Sequence, residues 1–577
     1  MNRKQRRAGR ANSPPAGSGA MPGDAVQRLR AEAMLHQQQN RLQDAARAYR
    51  RLVALKPDDA RAYNDLGALL LAEGKRREAS ACFAEALALM PQLFDDFRGL
   101  CTTLIRVLPP IGEAMARADA AWPERLPAGR LLDGGIAAIA DDPLLLRILG
   151  AAPVPNVALE RVLTSLRWCL LSNVEDVNQV NLAFACALAK HCFINEYVFP
   201  QTEAEEARIE TLRAQICATL ASDGGIEPAQ LAVLAMYVPL RALPQADLLA
   251  ERRWPAAVDE IVTQQVRESM QEKKLMATIA RFTAIDDDVS RRVRAQYEEN
   301  PYPRWVNAAA GVEPVAIDLY LRDLFPTAGF LPLSKTDAID VLVAGCGTGW
   351  QAIGTTQRFL DVRILAVDLS LASLAYAKRK TPPALTSRID YAQADILKLG
   401  SLQRRFDMID SSGVLHHLAD PFAGWRILLG LLKPGGLMHL GLYSALARAD
   451  VIKARAFVAE HGYQPTTDSV RRCRQDLLGT PLRSLVRFHD FFSTSECRDL
   501  LFHVQESNLG IPDLKAFISG QGLKFIGFEF GQAAQRHYRA TFAQRGWSTS
   551  DLDRWHEVET QAPETFSGMY NFWVQKT

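Results

Sequence analysis

Val341-Leu342-Val343-Ala344-Gly345-Cys346-Gly347-Thr348-Gly349 joins an apolar run to a glycine cluster, and Trp350-Gln351-Ala352-Ile353 then opens a helical pattern. This order reads as a buried parallel strand, a tight turn and a helix N-terminus. The glycines let backbone approach a ligand closely, and the N–H groups at the helix start favour polar or anionic ligand groups. The next strand pattern, Arg363-Ile364-Leu365-Ala366-Val367-Asp368, ends in a carboxylate 23 residues after Gly345. A carboxylate there accepts both hydroxyls of a ribose. The implied chemistry is the holding of an adenosine-containing cofactor, and the glycine pattern alone fits a nicotinamide enzyme too.

Three further stretches break the tie. Ala394-Asp395-Ile396 follows a third strand, where a carboxylate can read an adenine amino group. Phe406-Asp407-Met408-Ile409-Asp410-Ser411-Ser412-Gly413-Val414-Leu415-His416-His417 is a strand running into a loop, and Leu431-Leu432-Lys433-Pro434-Gly435-Gly436 turns into the next strand. In order and spacing, residues 335–443 resemble the class I S-adenosylmethionine-dependent methyltransferases, in particular those whose fourth strand ends in a His-His or similar pair. The resemblance implies S-adenosyl-L-methionine as cofactor. It assigns Gly345, Gly347 and Gly349, with Cys346, Thr348 and Gln351 in and beside the turn, to the amino-acid part. It gives Asp368, Leu369 and Ser370 to the ribose edge, Asp395 and Ile396 to the adenine, and Ser411 and Ser412 to the methionine moiety. The Cys346 thiol is expected to pack, or to offer only its backbone, because the sulfonium already activates the methyl group. Such an enzyme must align the acceptor, exclude water and, for a protonated acceptor, supply a base. His416 and His417 are the candidate catalytic residues; cavity lining and plain loop structure are the alternatives for each.

Gln296-Tyr297-Glu298-Glu299-Asn300-Pro301-Tyr302-Pro303-Arg304-Trp305 precedes the first of these strands. Its prolines forbid a regular helix. It resembles the segment leading into the methyltransferase half of bacterial proteins with N-terminal tetratricopeptides. Tyr297, Tyr302 and Arg304 are therefore candidates to close over cofactor or acceptor, the alternative being a strap that only joins domains. His489, Asp490, Glu496 and His503 are expected to belong to a substrate lid or to pack. Their spacing is not that of metal ligands, and no metal is expected.

Upstream, Ala45, Tyr49 and Pro57 recur 34 residues later as Ala79, Phe83 and Pro91. Tyr63, Leu66, Gly67, Ala79, Phe83, Ala86 and Pro91 match the tetratricopeptide (TPR) pattern. Small residues let paired helices approach, the aromatic fills the gap and the proline stops the second helix. The expected organisation is multidomain: a disordered basic tail over 1–23, all-α TPR repeats over 24–123 with 92–123 as a degenerate third pair or cap, and a helical middle domain over 124–290. A Rossmann-like α/β methyltransferase domain of seven strands follows over 291–577, with insertions at about 444–522 and 531–567.

Hydrophobic content of 48% and charged content of 23% over 577 residues are those of a globular protein of about three to four domains. A net charge of +2 gives no field toward nucleic acid, and none is expected as partner. The five cations among residues 1–10 read as a solvated tail or a weak contact with an anionic surface. The sequence has no run of 18 apolar residues, so no membrane span is expected. Nine scattered cysteines without a CxxC pair point to a reducing cytoplasm. The expected function is methyl transfer to an acceptor presented by the TPR and helical domains, a protein or peptide by analogy of fold. Alternatives are a small-molecule or glycan acceptor, and an interaction scaffold whose methyltransferase domain binds cofactor without turnover.

Overall fold

A computed structural model describes residues 22–91, 97–177, 179–306, 313–333 and 338–577. The chain divides into two compact units, residues 1–93 and 94–577. The basic tail lies outside the described residues as far as Met21, and Pro22 already opens a helix.

In the first unit Pro22–Gln38 pairs with Leu42–Leu55, and Ala60–Ala72 with Arg76–Leu89. The repeat positions do the packing: Ala45, Tyr49, Ala79 and Phe83 are all buried. A Cβ added to Gly67 would stand 3.0 Å from a ring carbon of Phe83, so the glycine of one helix makes room for the aromatic of the next. Helices Phe97–Val107 and Pro109–Ala121, read from sequence as a third pair or cap, fall in the second unit, where the latter packs against Val157–Ser172.

The second unit is built on one sheet of eight strands: β1 (Ala280–Arg281), β2 (Ile339–Ala344), β3 (Val362–Asp368), β4 (Ile389–Gln393), β5 (Phe406–Ser412), β6 (Leu432–Leu442), β7 (Leu523–Phe528) and β8 (Tyr570–Lys576), in the order β1-β4-β3-β2-β5-β6-β8-β7. β1 to β6 run parallel, and β8 is antiparallel to both its neighbours. One strand more than the expected seven is present because β1 has two residues, both exposed, and is too short to show any alternation. Central strands read as continuous apolar runs because both faces are covered. Val341 and Val343 join one core cluster with Ala352 and Ile353, while Leu342 and Ala344 join another with Trp425 and Leu428. Strand order reverses between β3 and β5, on either side of β2. That leaves a crevice beyond the carboxyl end of β2, where the glycine turn sits.

Residues between β6 and Ile511 form helices with their own apolar cluster, including Val470, Leu477, Phe491 and Leu500. Helix Ile511–Gly520 packs on β7 and so serves the sheet itself. Within the β7–β8 connection, Phe542 and Trp555 enter the main core. Arg474 of the β6–β7 segment is fully buried and forms a bidentate pair with Glu160 of the middle helices, at 3.1 and 2.8 Å. It also donates to the carbonyls of Phe491 and Val198. Removing one partner of a buried pair leaves a charge in low dielectric, a loss of about 3–5 kcal/mol. Arg474→Ala should therefore lower the urea midpoint by an amount worth about 3–5 kcal/mol, whereas exposed Arg483→Ala should stay within about 0.5 kcal/mol of wild type.

Candidate functional site

The crevice at the switch point opens into a cavity of about 270 Å³. Its floor is the turn after β2. Gly345 and Gly347 have φ of 80° and 50°, and the N–H groups of Gly345 and Cys346 both donate to Val367 O, at 2.8 and 2.9 Å. A Cβ on Gly347 would lie 2.6 Å from Tyr302 O, so neither the turn's conformation nor its neighbour admits a side chain.

Asp368 ends β3 and ties this turn to the next helix. Its Oδ2 accepts from Gly347 N at 2.8 Å and its Oδ1 from Ser370 N at 2.9 Å. Burial pushes its carboxyl up to about 6, against the pull of those two N–H groups. Leu369 shares the cavity wall. Ser370 is buried outside it, capping helix Leu371–Lys380 and donating to Tyr297 O at 3.1 Å. Asp395 and Ile396 line the far end. Asp395 Oδ1 accepts from Leu397 N at 2.9 Å, while Oδ2 is buried with no partner, an acceptor left for a ligand.

Other expected positions separate. Cys346, Gln351 and Ser412 line the cavity; Thr348, Gly349 and Ser411 do not. Thr348 is buried beneath the strap, where its hydroxyl donates to Pro303 O and its Oγ1 accepts from Trp305 Nε1 at 3.1 Å. Gly349 caps helix Trp350–Arg358. Ser411 points to the other face of β5 and donates to Ala344 O at 3.0 Å. Burial and nearby Asp368 raise the Cys346 thiol well above its ordinary value, which makes it a poor nucleophile. Tyr297 and Tyr302 stack at 6.1 Å and both line the cavity, whereas Arg304 points away from it.

The two histidines part in the same way. His417 lines the cavity; His416 is fully buried outside it, stacked on Tyr443 at 3.8 Å. Burial and the neighbouring His417 hold His416 well below its ordinary value. His417 Nδ1 lies 3.0 Å from Gln505 O, and a carbonyl only accepts. Nδ1 therefore carries the proton and Nε2 the lone pair. His503, stacked on His417 at 3.8 Å, has the opposite tautomer, because its Nδ1 accepts from Gln505 N at 3.1 Å. Its Nε2–H then faces Tyr297 Oη at 3.2 Å, and Tyr297 donates to Asp499 at 2.7 Å. His417, Asp499 and His503 each bring a ligand atom within 4.8 Å of the others. A protonated Nε2 on His503 fits this hydrogen-bonded chain and does not fit a metal ligand. His489 and Glu496 pair at 3.5 Å and contribute nothing to the cavity wall, and neither does Asp490, which burial and its carboxylate neighbours push up to about 7.

Sequence reasoning missed Tyr443, Met569 and the Val289–Val293 face, all cavity-lining. Tyr443 directly follows β6 and Met569 directly precedes β8, so sheet-edge position was the available signal. A second, open cavity of about 650 Å³ shares Trp350, Gln351, Ser412 and Met569 with the first. Its wall carries Asp410, His439 and Glu529, with His439 Nδ1 at 3.3 Å from Asp410.

Strand order, glycine turn and paired acidic strand ends define a class I methyltransferase fold. Residues 342–440 match a family model described as a methyltransferase domain, and residues 36–74 match one described as a TPR repeat. The chain thus contains an S-adenosylmethionine-dependent methyltransferase domain preceded by tetratricopeptide helices. An uncharacterised protein of Synechococcus sp. is 28% identical over 49% of this chain and 71% of that protein. A malonyl-[acyl-carrier protein] O-methyltransferase of Marinomonas sp. is 29% identical over 28% of this chain and 60% of that enzyme. The solved structure of PKMT2 from Rickettsia typhi is 17% identical over 44% of this chain and 51% of that one, with a TM-score of 0.34. The chain thus spans between about half and 71% of the length of these three proteins. Among the described residues no helix is long and apolar enough to cross a membrane.

A ligand hydroxyl that donates to Asp368 needs the carboxylate ionised, so affinity for such a ligand should fall as pH drops through about 6, by up to about tenfold per unit. The cofactor-free protein responds in the opposite sense. A raised carboxyl binds its proton more readily folded than unfolded, so this group's contribution to stability rises as pH falls from 7 toward 5. Calorimetry between pH 7.5 and 5.5 should show the loss of affinity, and Asp368→Asn should bind weakly with that dependence removed.

Proposed function

We propose that the first cavity holds S-adenosylmethionine through Asp368 at the ribose, Asp395 at the adenine and the Gly345–Gly347 turn at the amino-acid end, and that the protein methylates a nucleophile deprotonated by His417. The observation that carries the reading is the tautomer of His417: Gln505 O holds the Nδ1 proton, which leaves a basic Nε2 on a cavity-lining ring. The unpartnered Oδ2 of Asp395 and the side-chain-free cradle at Gly347 support the fit of the cofactor. When bound, S-adenosylmethionine supplies an activated methyl group on a positively charged sulfur. The protein's part is then to exclude water with stacked Tyr297 and Tyr302, to keep the acceptor in line, and to take its proton at His417 Nε2.

A protein or peptide acceptor, recruited by the tetratricopeptide unit, is the reading favoured by that repeat. A small-molecule or carrier-bound acceptor is favoured by the Marinomonas relative. Nine free cysteines support a reducing, cytoplasmic setting.

Incubating the full chain with radiolabelled S-adenosylmethionine and a cell extract should label a macromolecular fraction. Label confined to small molecules, or released from the macromolecular fraction by hydroxylamine cleavage of a carrier thioester, would transfer the assignment to the second reading. His417→Ala should lower the rate about 10²–10⁴-fold while cofactor binding is kept; undiminished transfer would remove His417 from the mechanism.

A further inference from the structure

Arg304 follows Tyr302 and Pro303 on the strap, yet faces away from the cofactor cavity. Its guanidinium lies over the Phe193 ring at 5.0 Å, and that of Arg241 lies over the same ring at 5.2 Å. These three residues border two other cavities, of about 380 and 280 Å³. Among the described residues Arg304 comes no nearer to a carboxylate than 3.9 Å, at Glu196, and its Nε is buried without a described acceptor. Arg241 stands exposed at the mouth, and no described carboxylate or hydrogen-bond acceptor holds its guanidinium. Lys380 beside them donates to a carbonyl, Val306 O, at 2.9 Å.

The acids around these cavities are already engaged. Glu260 pairs with Lys190 at 2.7 Å, Glu268 and Glu272 both pair with Arg379, at 2.9 and 2.8 Å, and Asp468 pairs with Arg471 at 2.9 Å. Glu196 turns its other oxygen to Ser495 N at 2.6 Å. The cations here outweigh their counter-charge: Arg241, exposed at its tip but crowded by protein, is lowered first by lost solvation and then by Arg304, against the pull of Tyr197, Glu196 and Glu272, and Lys380 is lowered by burial against the pull of Glu268.

We propose that Arg241 and Arg304, with Lys380 beside them, form a binding site for a phosphate-class oxyanion. Each guanidinium offers a planar fork of N–H donors that matches two oxygens of such a group, and two adjacent cations favour a dianion over a single carboxylate. The site sits on the back of the strap whose front closes the cofactor cavity through Tyr302. An anion that fixes Arg304 also fixes Tyr302 against Gly347, so phosphate and cofactor each tighten the other's binding by the same factor.

The test is calorimetric titration of the full chain with sodium phosphate against sodium chloride of equal ionic strength, with and without S-adenosylmethionine. Saturable binding is expected, weakened about tenfold or more in Arg241→Gln and in Arg304→Gln and unchanged in Arg483→Gln. Exposed Arg241 can be replaced without disturbing the core. Absence of saturable binding to wild type, or equal affinity in Arg241→Gln, would overturn the site. Phosphate binding with no effect on cofactor affinity would overturn the coupling. Separate arms with inorganic phosphate and phosphoserine tell a free anion from an esterified one by which binds tighter.

Discussion

The carbonyl of Tyr302 lies so close to the backbone of Gly347 that a methyl group on residue 347 would stand 2.6 Å from it. That contact locks the strap to the turn after β2, and the rest of the site takes its position from it. Tyr302 stacks on Tyr297 over the cavity, Trp305 donates to Thr348 beneath the turn, and Arg304 is turned outward between them. Gln296 to Glu299, read from sequence as part of the irregular strap, instead end helix Asp288–Glu299, because the prolines begin only at Pro301; from there Glu298 completes the lock by accepting from the N–H groups of Leu371 and Ala372, at 2.8 and 3.0 Å. One short segment thus spans both glycine turn and ribose carboxylate.

The second governing element is the main chain at Gln505. Its carbonyl makes His417 an Nδ1 donor and its N–H makes His503 an Nδ1 acceptor, so two stacked imidazoles are held in opposite tautomers. One presents a lone pair to the cavity; the other extends a donor chain through Tyr297 to Asp499. Adjacent His416 shares neither role, because it is packed beneath Tyr443, which Arg448 covers from 3.6 Å.

The methyltransferase half was legible because its signals are local. A continuous apolar strand, a glycine turn and a terminal carboxylate are set by short-range rules, and Asp368, Asp395 and His417 all border one cavity. Positions governed by alternation were harder: Ser411 and Ser412 are neighbours in sequence but face opposite sides of β5, and a motif cannot say which. Arg304 was grouped with Tyr302 for the same reason, since a proline-rich strap has no period from which to read direction. Tyr443 and Met569 come from elements far apart in the chain, and only the sheet order β5-β6-β8 brings them together. Two-residue β1 gave no signal at all.

The Glu160–Arg474 pair has a consequence for heredity. Its two members are 314 residues apart, one in the middle helices and one between β6 and β7, and among the described residues each is the opposite charge that the other faces in the buried interior. Recombination that swapped either stretch alone with a relative lacking the pair would deliver a folded chain carrying a stranded charge. The middle helices and the β6–β7 segment are therefore energetically tied, and exchanging one without the other carries that cost, although the sequence between them reads as a separate enzyme domain.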